Sequence, residues 1–155
     1  MPLETVLYAL KMAKKHCNLT VFNPAPYEKL PDEIYKYIDY IVPNEHEFES
    51  LVPGKGTMDD KAKILIEKGV KNIIVTLGNK GSILFNKKER IAVDAIKVNA
   101  IDTTAAGDSY VGAIVYALSK DILIKEAMEF ATKCSAITVT RKGAMLSLPK
   151  HSDLK

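Results

Sequence analysis

The residues best equipped for chemistry are Asp102-Thr103-Thr104-Ala105-Ala106-Gly107-Asp108-Ser109. Small residues fill a turn, an acid stands at its end, and an apolar helical pattern follows at once from Tyr110 to Leu118. A turn of this kind leaves backbone N–H groups unpaired at a helix N-terminus, and those donors attract anions together with the helix dipole. Side chains no larger than alanine let a phosphate approach the N–H groups of Ala105, Ala106 and Gly107. An acid there would repel the same anion. Asp108 makes sense as a base that takes a proton from an attacking hydroxyl, the alternative being a helix-start carboxylate satisfied by backbone donors. Phosphoryl transfer needs this combination of positioned donors and a base.

Asn44 and Glu47 form a second pair, three residues apart at a helix start and so on one face. They read either as a reciprocal helix cap or as a site for hydrated magnesium beside a polyphosphate. Gly54-Lys55-Gly56-Thr57 resembles a P-loop only superficially, since Glu49 stands where that pattern needs glycine. No G-x-G-x-x-G is present, and His16, His46 and His151 lack metal-ligand spacing.

Bulk properties set the frame. The chain has 155 residues, enough for one domain with a core, and is 47% hydrophobic and 26% charged. A formal net charge of +3, with both signs interspersed, gives no case for nucleic acid. No apolar run approaches the roughly 18–20 residues of a membrane span. Cys17 and Cys134 lie outside any C-x-x-C pattern and read as free, buried thiols in a reducing, cytoplasmic setting. Asn18-Leu19-Thr20 matches a glycosylation sequon but leads into an apolar strand and reads as chance.

The elements that must position these residues follow from periodicity. Leu3, Val6, Leu7, Leu10, Ala13 and Cys17 predict a helix with one buried stripe. Residues 19–23 predict a buried strand stopped at Asn23-Pro24-Ala25-Pro26, and Pro31 starts a short helix. A strand at 40–42, a helix at 44–51, a loop at 53–56 and a helix at 59–68 follow, with Ala62, Leu65 and Ile66 inward and Gly69 as C-cap. Residues 72–77 give the clearest buried strand, with its turn at 78–81. Strands at 82–85 and 90–93 flank Asn86-Lys87-Lys88-Glu89 as a hairpin. Helices at 107–119 and 124–139, a turn at 141–144 and a polar tail from Leu148 complete the chain. Alternating helices and strands predict an α/β fold on a mostly parallel sheet, with 44–47, 78–81 and 103–108 at the carboxyl ends of strands.

Five ordered motifs resemble the ribokinase-like sugar kinases. Asp102–Ser109 is similar to their D-T-T-G-A-G-D-[ST]-F signature, with Ala105 where glycine is commoner and Tyr110 where phenylalanine is commoner. Asn23-Pro24-Ala25-Pro26, Pro43-Asn44-Glu45-His46-Glu47, Thr76-Leu77-Gly78-Asn79-Lys80-Gly81 and the segment Ala136–Ala144 resemble their N-P-A-P, P-N-x-x-E, T-L-G-x-x-G and A-x-x-V-T-R-x-G-A segments. The resemblance implies a three-layer α/β/α, Rossmann-like fold and ATP-dependent phosphorylation of a sugar hydroxyl, with ribose as the sugar. It implies Asp108 as catalytic base and Ala105, Ala106 and Gly107 as anion hole. It places ATP on Thr76, Leu77, Gly78, Asn79, Lys80, Gly81, Gly107 and Asp108, with Thr132 near adenine. Asn44 and Glu47 would organise magnesium through water and the ATP phosphates. Asp102, Thr104, Thr138, Arg141, Gly143 and Ser147 match the monovalent-cation loop, for potassium.

Members of that family are about twice this long. The resemblance implies that residues 1–155 are the C-terminal, nucleotide-binding part, without the G-G-K-G-x-N sugar site and the β-sheet lid. Such a part should bind and phosphorylate sugar poorly by itself, and its bared apolar surface and strand edge favour self-association or pairing with the other half. Two other readings stand beside this one: a non-catalytic nucleotide-binding or interaction module, and a related kinase for a nucleoside or another sugar.

Overall fold

Helical and strand periodicities alternate along the chain, and the backbone follows them. The structure, a computed structural model, describes residues 2–154. In order it contains α1 (Leu3–Lys15), β1 (Val21–Phe22), a 3-10 helix (Asp32–Tyr37), β2 (Tyr40–Ile41), α2 (Glu45–Leu51), α3 (Met58–Glu67) and β3 (Asn72–Thr76). A 3-10 turn (Gly78–Lys80), β4 (Ser82–Asn86), β5 (Arg90–Val93), α4 (Ala106–Leu118), α5 (Ile124–Val139) and two 3-10 turns (Met145–Ser147, His151–Leu154) follow. The strands are ordered β1-β2-β3-β4-β5. The first three are parallel, with Val21 opposite Tyr40 and Ile41 opposite Ile73. The turns before β4 and β5 are too short for a crossover, so those strands run antiparallel. The result is the expected mixed α/β sheet with its hairpin at one side. Among the described residues no helix is long and apolar enough to cross a membrane.

The chain divides into two compact units. The first runs to Val75 and includes Ile83–Arg90; the second comprises Thr76–Ser82 and the chain from Ile91 onward. In the first unit Ile34, Ile38, Ile41, Phe48, Leu65, Ile73, Ile74 and Leu84 are fully buried, and the Phe48 and Phe85 rings lie parallel with centroids 6.4 Å apart. α3 turns Ala62 and Leu65 inward as expected, while Ile66 is only half-buried. Lys61 is buried instead, its ammonium paired with Glu49. Gly69 ends α3 as expected: with φ +114° it lets its own N–H reach the Ile66 carbonyl and the Val70 N–H reach Leu65. In the hairpin turn the Asn86 carboxamide accepts from the N–H groups of Lys88 and Glu89 at 2.8 and 2.9 Å.

Two expectations about the start of the chain are corrected. Of the expected stripe on α1 only Leu10 is buried, with Leu3, Val6, Leu7 and Ala13 half-buried, and Cys17 is exposed. Cys17 holds the left-handed position after the helix, φ 57°, so that Asn18 N–H reaches Ala13 and Cys17 N–H reaches Lys14. This is the arrangement made at Gly69, and it turns the side chain away from the helix face. Residues 19–23 shrink to the two-residue strand β1, whose side chains are half-buried and whose neighbour Leu19 is exposed. The reason is position: β1 is an edge strand and pairs with β2 alone.

A polar cluster that periodicity does not announce joins these first elements. Asp39, 4% exposed, accepts from Lys14 and Lys71, from Thr20 N–H at 2.9 Å, and from the Thr20 hydroxyl at 3.1 Å. The Thr20 hydroxyl also accepts from Asp39 N–H and reaches the Tyr37 carbonyl. Burial alone would raise the Asp39 carboxyl, but the bonds from Lys14, Lys71 and Thr20 outweigh it and hold it at about 2.

In the second unit α4 and α5 pack on small faces. Ser109, Ala113 and Ala117 of α4 are buried, as are Ala127, Ala131, Cys134 and Thr138 of α5. Small side chains let two helices approach closely, and Tyr116 and Phe130 add a tilted ring contact at 5.8 Å. The tail from Leu148 is not simply a solvated end. Arg141 pairs with Asp153 at 3.0 Å, and Lys133 donates to the Leu154 carbonyl at 2.9 Å, which folds residues 151–154 into a 3-10 turn.

Two outcomes follow from these local features. Cys17→Gly should raise stability by about 0.5–1 kcal/mol, because the left-handed cost of about 1–2 kcal/mol exceeds the extra chain entropy of glycine; urea unfolding measures it. Asp39 contributes stability that is present above the unfolded carboxyl value near 3.8 and is lost as pH falls toward about 2. A urea series from pH 5 to pH 2 should lose about 2 kcal/mol on this account, and Asp39→Asn should flatten that slope.

Candidate active site

The site is built on the first turn of α4. Ala105 is the N-cap, in the left-handed conformation at φ 60°, and no side chain caps the helix. The left-handed residue explains why glycine suits this position, and the methyl group is tolerated at a cost of about 1–2 kcal/mol. Ala106 N–H closes the turn onto the Thr103 carbonyl at 3.2 Å, and Ser109 N–H makes the first bond of the helix, to the Ala105 carbonyl at 2.9 Å. The N–H groups of Gly107 and Asp108 precede that ladder, as in any helix start. Gly107 and Asp108 are exposed, and a Cβ added at Gly107 would meet nothing within 4 Å. A small, open surface with donors at a positive helix end is thus present, with a carboxylate beside it. Of the residues expected to form the anion hole, Gly107 is exposed and Ala105 and Ala106 are half-buried, with the Ala106 donor engaged by Thr103.

The turn is held from behind by α5. Ser135 donates to the Ala106 carbonyl at 3.1 Å, and the buried Thr138 hydroxyl is 2.9 Å from the Ser109 hydroxyl and 3.0 Å from the Cys134 carbonyl. Ile101 and Asp102 N–H groups both reach the Val139 carbonyl, at 2.7 and 3.2 Å. The Asp102 carboxylate then clamps two loops: one oxygen accepts from Thr104 N–H and the other from Gly143 N–H, each at 2.9 Å. The bond from Gly143, reinforced by Thr104, holds the Asp102 carboxyl down at about 2. Asp102, Thr104 and Gly143 are therefore brought together. Thr138 and Ser147 are buried, the latter donating to the Ala144 carbonyl at 2.7 Å, and Arg141 is paired with Asp153. Carboxylate, hydroxyl and backbone carbonyl oxygens are the donor types that hard cations take, though both Asp102 oxygens already accept from Thr104 and Gly143.

The segment Thr76–Gly81 belongs to the same unit. Thr76 ends β3, Leu77 N–H reaches the Gly81 carbonyl at 2.8 Å, and Gly78, Asn79 and Lys80 form an exposed 3-10 turn. Gly81 has φ +98°, and a Cβ there would stand 2.0 Å from the Val93 carbonyl oxygen. Only glycine fits, so the end of the turn is fixed. Next to it the buried Ser82 hydroxyl shares a hydrogen bond of 2.8 Å with the Tyr110 hydroxyl, two residues beyond Asp108.

Asn44 and Glu47 lie in the first unit. They form the reciprocal cap of α2: Asn44 accepts from Glu47 N–H at 2.9 Å, and Glu47 accepts from Asn44 N–H at 2.8 Å. Each such cap is worth about 1 kcal/mol to its helix. The cap uses one oxygen of Glu47, and a carboxylate retains lone pairs that can accept from water, so the donor chemistry fits a hydrated magnesium ion. Thr132 is buried on α5 and donates to the Met128 carbonyl at 2.8 Å, so its hydroxyl serves the helix. Ser82 and Ser135 are the neighbours of this turn and of the Gly81 loop that sequence reasoning missed. Their only signal is small polar residues on otherwise apolar faces.

Known proteins share the sequence and fold of this chain. The model of the pfkB family carbohydrate kinases matches residues 1–151. The ribokinase of Staphylococcus aureus is 41% identical over 153 residues, which covers 96% of this chain and 50% of that protein. The ribokinase of Schizosaccharomyces pombe is 42% identical, covering 96% and 49%. Among solved structures, the ribokinase of Thermotoga maritima superposes with a TM-score of 0.92 at 42% identity, over 99% of this chain and 52% of that one. The Arabidopsis thaliana ribokinase complexed with ribose and ATP gives 0.93 at 27% identity, over 99% and 51%. The chain spans about half the length of the curated relatives it matches. With residues 1–151 matched, the protein belongs to the pfkB family of carbohydrate kinases.

Proposed function

We propose that this chain carries the nucleotide and phosphoryl-transfer half of an ATP:sugar kinase of the ribokinase type, with ribose as the sugar. The observation that carries the reading is the start of α4, where open backbone donors and the exposed Asp108 share one turn. Asp108 takes the proton from the attacking sugar hydroxyl as its oxygen bonds to the γ-phosphorus of ATP, and ADP leaves. Negative charge growing on the transferred group is met by the N–H groups of Ala105 and Gly107, joined by Ala106 when its bond to Thr103 yields. The segment Thr76, Leu77, Gly78, Asn79, Lys80 and Gly81 holds the nucleotide, and Thr132 lies toward its base.

Asn44 and Glu47 would hold magnesium through its waters, and the ion would supply positive charge against the phosphates. Asp102, Thr104, Thr138, Arg141, Gly143 and Ser147, with backbone carbonyls of their segments, would hold a potassium ion. Bound there, it would help keep the turn before α4 in place, the task that the Asp102 clamp performs between Thr104 and Gly143. The free thiols of Cys17 and Cys134 suit a cytoplasmic setting.

Because the chain spans about half the length of its relatives, we assign the sugar contacts to residues outside it. The open edge of β1 and the exposed Tyr8 and Leu19 suit pairing with that other half or with a second copy. ADP release should be measured with ATP, magnesium, potassium and ribose, on the chain alone and supplemented with the N-terminal half of a homologous ribokinase. The supplemented chain should be the faster, and Asp108→Asn should lower its rate by about 10²–10⁴-fold with the fold intact by circular dichroism. Full activity in Asp108→Asn would remove Asp108 from the mechanism. ATP binding without transfer in the supplemented chain would favour the non-catalytic nucleotide module.

A further inference from the structure

The buried hydroxyl pair Ser82–Tyr110 is not explained by packing alone. Both residues are nearly fully enclosed, at 1% and 5% exposure, and their oxygens are 2.8 Å apart. Burial pushes the Tyr110 phenol up to about 12, so it remains a neutral hydroxyl that can share this bond. The bond crosses 28 residues of sequence. Its two ends are each rigidly attached to a segment of the proposed site. Ser82 follows Gly81, which is wedged against the Val93 carbonyl and so fixes the end of the Thr76–Gly81 segment. Tyr110 lies one helical step after Ser109, which Thr138 holds, and two after Asp108. The commoner phenylalanine at the Tyr110 position carries no hydroxyl, so the bridge depends on both residues of this chain.

We infer that Ser82 and Tyr110 are positioning residues that set the spacing between the nucleotide segment Thr76–Gly81 and the anion-binding turn of α4. The inference rests on the nucleotide role proposed above. The pair touches no reacting atom; it acts through the two segments it joins. A hydrogen bond between two buried hydroxyls has little net effect on stability, but removing one partner leaves the other unsatisfied, whereas removing both can be nearly neutral. Stability and spacing therefore respond differently to the same substitutions.

The test is calorimetric titration of magnesium-ATP into the wild-type chain, Tyr110→Phe, Ser82→Ala and the double variant, with thermal melts of each. Each single variant should bind at least threefold more weakly and melt at a lower temperature. In the double variant the melting temperature should recover toward wild type while affinity stays reduced at least threefold, no worse than the weaker single. Affinity that follows stability back to wild type, or single variants that bind like wild type, would make the pair merely structural. Losses that add in the double variant would overturn the bridge, since the two hydroxyls would then act separately. If Tyr110→Phe does not fold, Ser82→Ala decides by the same comparison of affinity with melting temperature. A wild-type chain that fails to bind magnesium-ATP would defeat the nucleotide reading itself, and this inference with it.

Discussion

A helix that begins without a side-chain cap keeps its first donors available, but something else must then hold its first turn still. That constraint governs the second unit of this protein. Ala105 offers no capping oxygen to α4 and sits in a conformation that costs an alanine about 1–2 kcal/mol. The turn persists because its surroundings determine it. Ser135 takes the Ala106 carbonyl, Thr138 holds Ser109, the Val139 carbonyl collects the N–H groups of Ile101 and Asp102, and Asp102 spans Thr104 and Gly143. A capping serine or aspartate at Ala105 would make the helix more stable and spend a donor that an anion could use. Strain kept at such a place is consistent with a site prepared for charge that develops elsewhere, on a transferred group.

The same unit shows how small residues serve position. Small side chains between α4 and α5 bring the helices close enough for short hydroxyl groups to reach across. A larger residue at Ser135 or Thr138 would separate the helices and lose those bonds together. Gly81 plays the matching role in the preceding turn, where the Val93 carbonyl leaves no space for a Cβ. In the first unit the corresponding cohesion is electrostatic: Asp39 gathers Lys14, Thr20 and Lys71 around one buried carboxylate, joining α1 to the first strands.

The parts of the fold that sequence made legible were those written in local periodicity and turn chemistry. Among the described residues, the α-helices, the strands after the shortened β1, the Asn86 hairpin turn and the Gly69 helix end appear where patterns of two or three to four, glycine and asparagine put them. The site segment Asp102–Ser109 was legible for the same reason, as a local turn before an apolar helix. What was not legible depends on partners distant in sequence. Cys17 fits a helical stripe by spacing, yet chain geometry at a helix end takes it out of that stripe. Asp39, Ser82 and Ser135 acquire their roles from Lys14, Tyr110 and Ala106, and no local pattern names those partners. The ordered residues 151–154 likewise depend on Arg141 and Lys133 reaching back from the end of α5.

The central claim is that the start of α4 receives the transferred phosphoryl group. The most direct measurement follows the backbone amide resonances of the ¹⁵N-labelled chain on addition of magnesium-ADP with aluminium fluoride, which imitates that group in transfer. The account predicts that Ala105, Gly107 and Asp108 shift markedly more than with magnesium-ADP alone, while the distant loop at Gly54 and Gly56 stays in place. If the nucleotide binds and Ala105, Gly107 and Asp108 do not respond to the fluoride, the turn is not the phosphoryl site and the account is wrong.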